Sequence, residues 1–209
     1  MTSKNVVGVE ILELLESIKP NLDERCQLSL MLHFIVFENQ LAVFDLVERK
    51  LFHSASALLR VQFEAHVKAE WLKECASDKQ VEQFKRDRVK SSRKPSRDIR
   101  FNELVDELEL VKPHLKGTMK SFQAYHWKGL NSFTHVGSMQ LTLFQRILSG
   151  EDIDGESYVD FANRFAINSL GGVAVILEDA AIMKGYISLS RRFLNIPLVS
   201  DTEPDTFGF

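Results

Sequence analysis

Apolar residues recur at helical spacing along almost the whole chain. Val9–Ile18 (VEILELLESI) alternates apolar pairs with glutamates and predicts a short amphipathic helix that ends before Pro20. Asn21 or Asp23 is placed to cap a second helix that runs to about Lys50. That helix is apolar nearly all round (Leu28, Leu30, Met31, Leu32, Phe34, Ile35, Phe37, Leu41, Phe44, Leu46, Val47), which places it in the middle of a bundle. Leu51–Ala76 predicts a third helix whose small residues Ser54–Ala57 let a neighbour approach closely. Ser77 then reads as an N-cap, with Gln80 at the third helical position, opening a short polar helix to about Val89.

Beyond a biased segment at 85–100, Phe101–Leu110 is again amphipathic, and Pro113 and Gly117 bracket a turn. Thr118–Lys128 predicts a helix, Gly129-Leu-Asn-Ser a break, and Thr134–Leu148 its resumption. An acidic turn follows at Gly150–Gly155. Tyr158–Tyr186 reads as one long helical stretch with Gly171-Gly172 inside it. Each glycine costs about 1 kcal/mol against alanine there, so the pair predicts a kink or a close helix contact. Neither an internal repeat nor a β-α-β alternation interrupts the pattern. The expected architecture is all-α: an up-and-down bundle with long central helices and a basic loop. It forms one domain over 1–195, followed by an acidic, loosely ordered tail at 196–209.

Composition agrees with this picture and narrows the function. The 209 residues are 44% hydrophobic and 26% charged, which excludes a disordered chain. Only 10 glycines and 5 prolines are present, few for a turn-rich β protein. The 26 basic and 29 acidic residues leave a formal charge of −3, so a globally basic nucleic-acid binder is excluded while a local basic patch is not. Cys26 and Cys75 are too few for a disulfide framework or a zinc knuckle, and low cysteine use fits a reducing cytosol. The first residues lack the apolar core of a signal peptide. The apolar run Leu28–Phe37 is broken by His33 and Glu38, short of a membrane span. The expectation is a cytoplasmic protein without a membrane partner.

Candidate chemistry gathers in two places. On a wheel of about 100° per residue with Arg60 at zero, His53 falls near 20°, Ser56 near −40°, Glu64 near 40° and Lys68 near 80°. This polar stripe lies on an otherwise apolar helix, so Arg60 and Glu64 sit in a groove or an interface. Either they form an i,i+4 ion pair that fixes helix register, or Arg60 is a phosphate clamp oriented by Glu64. The second place is Tyr125–His135 (YHWKGLNSFTH), where two histidines, Trp127, Ser132 and Thr134 surround a glycine. His135 and His126 are candidates for general base and acid near neutrality, or for helix-end histidines bonded to carbonyls. His66 lies about 240° round the wheel, off the stripe.

Metal and nucleophile motifs are missing: there is no Glu-x-x-His, His-Glu-x-x-His, Walker A or Gly-x-Ser-x-Gly. A metal held by His53, His126 and His135 has no spacing to support it, and no cofactor is expected. Glu74 beside Cys75 raises the thiol pKa rather than activating it. The segment 85–100 holds eight basic residues against two acidic ones. It is either a phosphate-contacting patch or a solvated, mobile loop, and no aromatic within it offers base stacking.

The run HSASALLRVQFEAHVKAEWLKECASDKQVEQF, followed some forty residues on by W-x3-NSFTHVG-x2-Q, resembles an uncharacterised family of bacterial helical proteins near the HEPN-like and abortive-infection groups. The resemblance covers about Asn39–Gln140. Its elements are His53, Ser56, Arg60, Glu64 and Trp71, then Trp127, Ser132, Thr134, His135 and Gln140. It implies a helical bundle and a place in phage defence or a toxin–antitoxin pair. HEPN ribonucleases act as homodimers without a metal, and the apolar excess of the Leu28–Val47 helix, with 15 phenylalanines in the chain, is generous for one small bundle, so a homodimer is expected. The resemblance also implies an RNase in which Arg60 binds phosphate, Glu64 orients it, and His135 and His126 serve as base and acid. His53, Ser56, Trp127, Ser132 and Thr134 would line the RNA or nucleotide site. The alternatives are a binding module for a small ligand or protein partner, whose same residues organise a dimer interface, and a hydrolase or lyase acting on a nucleotide.

Overall fold

A computed structural model describes residues 5–16, 18, 21–135 and 137–194. The tail expected at 196–209 lies outside the described residues. Among those residues there are nine α-helices and no strand: α1 (Val6–Leu15), α2 (Glu24–Glu48), α3 (Phe52–Glu74), α4 (Asp78–Phe84), α5 (Phe101–Val111), α6 (Thr118–Thr134), α7 (Ser138–Leu148), α8 (Glu156–Leu177) and α9 (Ala180–Phe193).

Local chemistry sets several of these ends. Asp23 accepts a hydrogen bond from the Cys26 N–H at 2.8 Å and caps α2. Ser77 and Gln80 form the reciprocal capping box of α4 that their spacing predicts. Two expectations are corrected. Gly129 does not break α6, which runs unbroken to Thr134. One glycine costs only about 1 kcal/mol, and a Cβ at Gly129 would sit 3.4 Å from the Met139 methyl, so the helix packs closely there. The expected single helix over 158–186 is two. Glu178 adopts a left-handed φ of 52° and ends α8, and Asp179 caps α9 by accepting from Ala181 and Ile182.

Three long helices make the core. Ser29 donates to the Ala69 carbonyl at 2.8 Å, and Gln62 donates to the carbonyls of Val36 and Ala162. These bonds fix α2 antiparallel to α3 and α8 parallel to α3. The α2–α3–α8 seam is therefore polar at intervals, with Gln40 bonded to Asn163, Gln62 bridging, and His66 Nδ1 2.9 Å from Ser169 Oγ. On the other side of α3, helices α5 and α6 cover Phe63, whose ring meets Phe101, Phe122, Trp127 and Phe165. By length and composition α2 is apolar enough to cross a membrane, contrary to the sequence reading, since one histidine does not offset its leucines and phenylalanines. Here its buried face, including Leu30, Val36, Phe37 and Val43, belongs to the core.

The segment 85–100 is not a free loop. Glu103 is 3% exposed, accepts from Ser91 Oγ at 2.7 Å and from Arg97 Nη1 at 2.6 Å, and takes the Arg100 N–H as well. Arg93 pairs with Asp106, Lys90 with Asp98, and Lys85 with Glu24 and Glu82. Lys85, Lys90, Arg93 and Arg97 are thus engaged in ion pairs within the protein.

Candidate functional site

Arg60 and His135, 75 positions apart in the sequence, are in contact. Arg60 Nη1 donates to His135 Nε2 at 2.9 Å and to Thr134 Oγ1 at 2.8 Å. The guanidinium lies 5.1 Å from the Trp127 ring centre, and that ring stacks on Phe101 at 4.3 Å. Glu64 Oε2 stands 3.7 Å from Arg60 Nε, and Lys68 pairs with Glu64 from the next turn. His135 is exposed while Arg60 is mostly covered.

The remaining residues singled out from the sequence have other neighbours. His53 Nε2 lies 3.1 Å from the Gln140 carbonyl, with its ring against Phe144. Ser56 is buried and donates to the Phe52 carbonyl one turn back. Ser132 accepts from the Met139 N–H at 3.0 Å and so starts α7. A Cβ at Gly137 would come within 2.4 Å of that hydroxyl oxygen, so this turn requires glycine. His126 packs among Phe122, Tyr125 and Phe161 rather than with Arg60 and His135, and partial burial holds its imidazole below its ordinary pKa. Cys75 is pushed up to about 12 by burial and then by Glu107 and Glu74, and is no nucleophile.

His126 lies on the wall of a second place, a cavity of about 1010 Å³ between α3, α5, α6, α8 and α9. Phe63, Leu108, Met119, Phe122, Phe165, Ile176, Met183 and Tyr186 give it apolar walls. Lys73, Lys112, Lys116 and Arg164 outnumber Glu70 and Glu74 along its lining, four charges to two. Arg60 and His135 are not among the lining residues.

The cavity floor is built by α2, α3 and α8. His33 on α2 is 0% exposed, and neither ring nitrogen has a hydrogen-bond partner. His66 and Glu70 project from successive turns of α3, and donor atoms of His33, His66 and Glu70 all lie within 4.8 Å of one another. Glu70 Oε1 is 3.6 Å from His33 Nε2, and Glu70 Oε2 accepts from Lys112. Lys112 also stands 3.6 Å from Glu74. Above the trio passes the backbone of Gly172, where a Cβ would fall 2.5 Å from Glu70 Oε1 and 2.7 Å from His33 Nε2.

Burial holds both imidazoles neutral. His33 is lowered to about 4, Glu70 only partly opposing the shift, and His66 is lowered for the same reason. Burial works to raise Glu70, yet its pKa is lowered; with both imidazoles uncharged at neutral pH, the Lys112 ammonium is the charge that keeps the carboxyl ionised. The floor therefore presents two neutral imidazoles and one carboxylate at neutral pH. Reasoning from sequence missed His33 and Glu70. The signal available was His66-x3-Glu70, one turn apart on one helix face.

These features define an all-helical bundle with a half-open cavity, partly apolar and partly charged, over a histidine–carboxylate floor. The chain belongs to DUF6988, a family of unknown function whose profile matches residues 33–196. No curated relative and no solved structure matches it.

Proposed function

We propose that this protein binds a small organic anion with an apolar or aromatic body in the cavity between α3, α6 and α8. The observation that carries this reading is the cavity itself. Its volume of about 1010 Å³ is at the upper end of small-molecule pockets, and its lining combines apolar and aromatic walls with charged and polar side chains. The excess of basic side chains favours an anionic head, and the ring-lined wall favours a flat or branched body. The test is fluorescence titration with 8-anilinonaphthalene-1-sulfonate, an aromatic sulfonate. The parent protein binds it saturably, Asn168→Trp abolishes binding by filling the cavity, and Arg164→Glu weakens it at least about fivefold. Equal binding by all three proteins refutes the reading.

A second reading rests on the Arg60–His135 contact. In it the chain is a HEPN-like, metal-independent ribonuclease of a defence or toxin–antitoxin system. His135 removes the 2′-hydroxyl proton and Arg60 stabilises charge on the phosphorane-like transition state. The phosphate must first displace Arg60 from the His135 lone pair. The outward Leu141, Phe144 and Leu148 of α7 lie 59%, 52% and 71% exposed beside this cluster and would join two copies. Cleavage of several RNAs by the parent, lost in Arg60→Ala and His135→Ala, supports it. No cleavage, or a monomer by light scattering, removes it.

A further inference from the structure

The Glu70–Lys112 ion pair does not account for the rest of the cavity floor. A fully buried imidazole with both nitrogens unpartnered bears the desolvation cost of each unsatisfied group. His33 is such a residue. A glycine inside a 22-residue helix is a poorer helix former than alanine, and Gly172 is placed where any side chain would fill the space between His33 and Glu70. An empty ion-pair site needs neither of these features.

We propose that His33, His66 and Glu70 bind a divalent transition-metal cation of the zinc type, leaving one coordination position open toward the cavity. Two imidazoles and one carboxylate are a donor set suited to zinc, and three protein ligands leave the fourth place for water or a ligand oxygen. Donors around a tetrahedral zinc are about 3.4 Å apart. His33 Nε2 and Glu70 Oε1 are 3.6 Å apart, and all three donors fall within 4.8 Å, so small side-chain rotations close the site.

The surroundings are arranged for this role. His66 Nδ1 lies 2.9 Å from Ser169 Oγ, which fixes the ring plane; with Nδ1–H donating to that hydroxyl, Nε2 keeps its lone pair for a metal. Glu70 uses Oε2 for Lys112 and keeps Oε1 toward His33. Lys112 has Glu74 as a second partner and keeps a counter-charge when Glu70 turns to a cation. The identity of the group at the open position, an anionic or carbonyl oxygen of the cavity's ligand, rests on the small-molecule reading above. The metal trio does not.

The test uses the full chain, stripped by chelator and dialysed. Zn2+ is titrated against a chromophoric competitor, and Co2+ is followed by its visible absorption, which reports coordination number. The expected result is about one equivalent bound with Kd at or below about 1 μM, and a four- or five-coordinate Co2+ spectrum. Glu70→Gln weakens binding more than about a hundredfold. Ser169→Ala, which keeps every ligand, weakens it about tenfold. Far-UV circular dichroism checks folding. If Glu70→Gln does not fold, Ser169→Ala carries the comparison. No binding by the folded parent overturns the proposal, as does undiminished binding by the folded variants. Aromatic sulfonate binding without Zn2+ binding leaves the cavity reading standing and removes the metal. Zn2+ binding without sulfonate binding does the reverse.

Discussion

His33 Nε2 lies 3.6 Å from Glu70 Oε1, yet neither imidazole nitrogen of His33 forms a hydrogen bond. The neutral imidazole and the ionised carboxylate are thus adjacent without a shared proton. The pH dependence of stability follows from that state. The unfolded chain protonates His33 near its ordinary 6.5, whereas the folded protein resists protonation down to about 4. Between those values the unfolded state holds more protons, so stability is complete above pH 6.5 and falls as the pH drops toward 4. Denaturant unfolding of the metal-free protein should show a loss of about 2 kcal/mol between pH 7 and pH 5. His66 adds to it in the same direction. His33→Leu should flatten much of this slope, and an unchanged slope would show that the imidazole is not held neutral.

Gly172→Ala tests the close approach of α8. On an exposed helix this change stabilises by about 1 kcal/mol. Here the new methyl meets Glu70 Oε1 and His33 Nε2 well inside contact distance, and Glu70 is held in turn by Lys112. Overpacking of this kind costs about 1–3 kcal/mol, so steric conflict outweighs propensity. The expected outcome is net destabilisation in urea. A variant more stable than its parent would contradict the packing described.

Glu103→Gln should release the basic segment. The Arg97 guanidinium, against burial but with help from the Arg100 N–H and the Ser91 hydroxyl, lowers the Glu103 carboxyl to about 2. Its contribution is therefore present above the ordinary carboxylate range and disappears as the pH falls through about 2. Charge-assisted bonds of this type are worth about 1.5–3 kcal/mol, and a loss of that order is expected at neutral pH. Limited trypsin digestion should then cut within 85–100 at an increased rate, whereas the parent resists.

Arg60→Lys should weaken the docking of α6 on α3. Lysine cannot lie flat on Trp127 while donating to both Thr134 and His135. A loss of about 1–2 kcal/mol and a shift in tryptophan emission are expected. A double-mutant cycle with His135→Ala should give a coupling of at least about 0.5 kcal/mol. Additive effects would mean that the 2.9 Å contact carries no energy.

Much of the helical framework was readable from periodicity and capping, because those are local. Asp23, Ser77 and Gln80 act where their spacing puts them. The convergence of Arg60 with Thr134 and His135 was also legible, since an apolar helix carrying an arginine demands a polar partner from elsewhere. What escaped was settled by packing. Gly129 reads as a breaker alone, but the approach of Met139 makes it a contact. The basic run reads as solvated until Glu103, Asp106 and Glu24 are folded onto it. His33 reads as a polar interruption on an apolar helix, and nothing within α2 indicates that His66, Glu70 and Gly172 arrive beside it.

The residues that meet at the cavity floor come from positions 33, 66, 70 and 172. During synthesis, His33 and the α3 pair leave the ribosome long before Gly172 does. The floor therefore exists only once α8 has emerged and docked, and a nascent or split chain ending before α8 has ligand groups without a site. Any molecule that fits there recognises finished molecules and ignores partial ones.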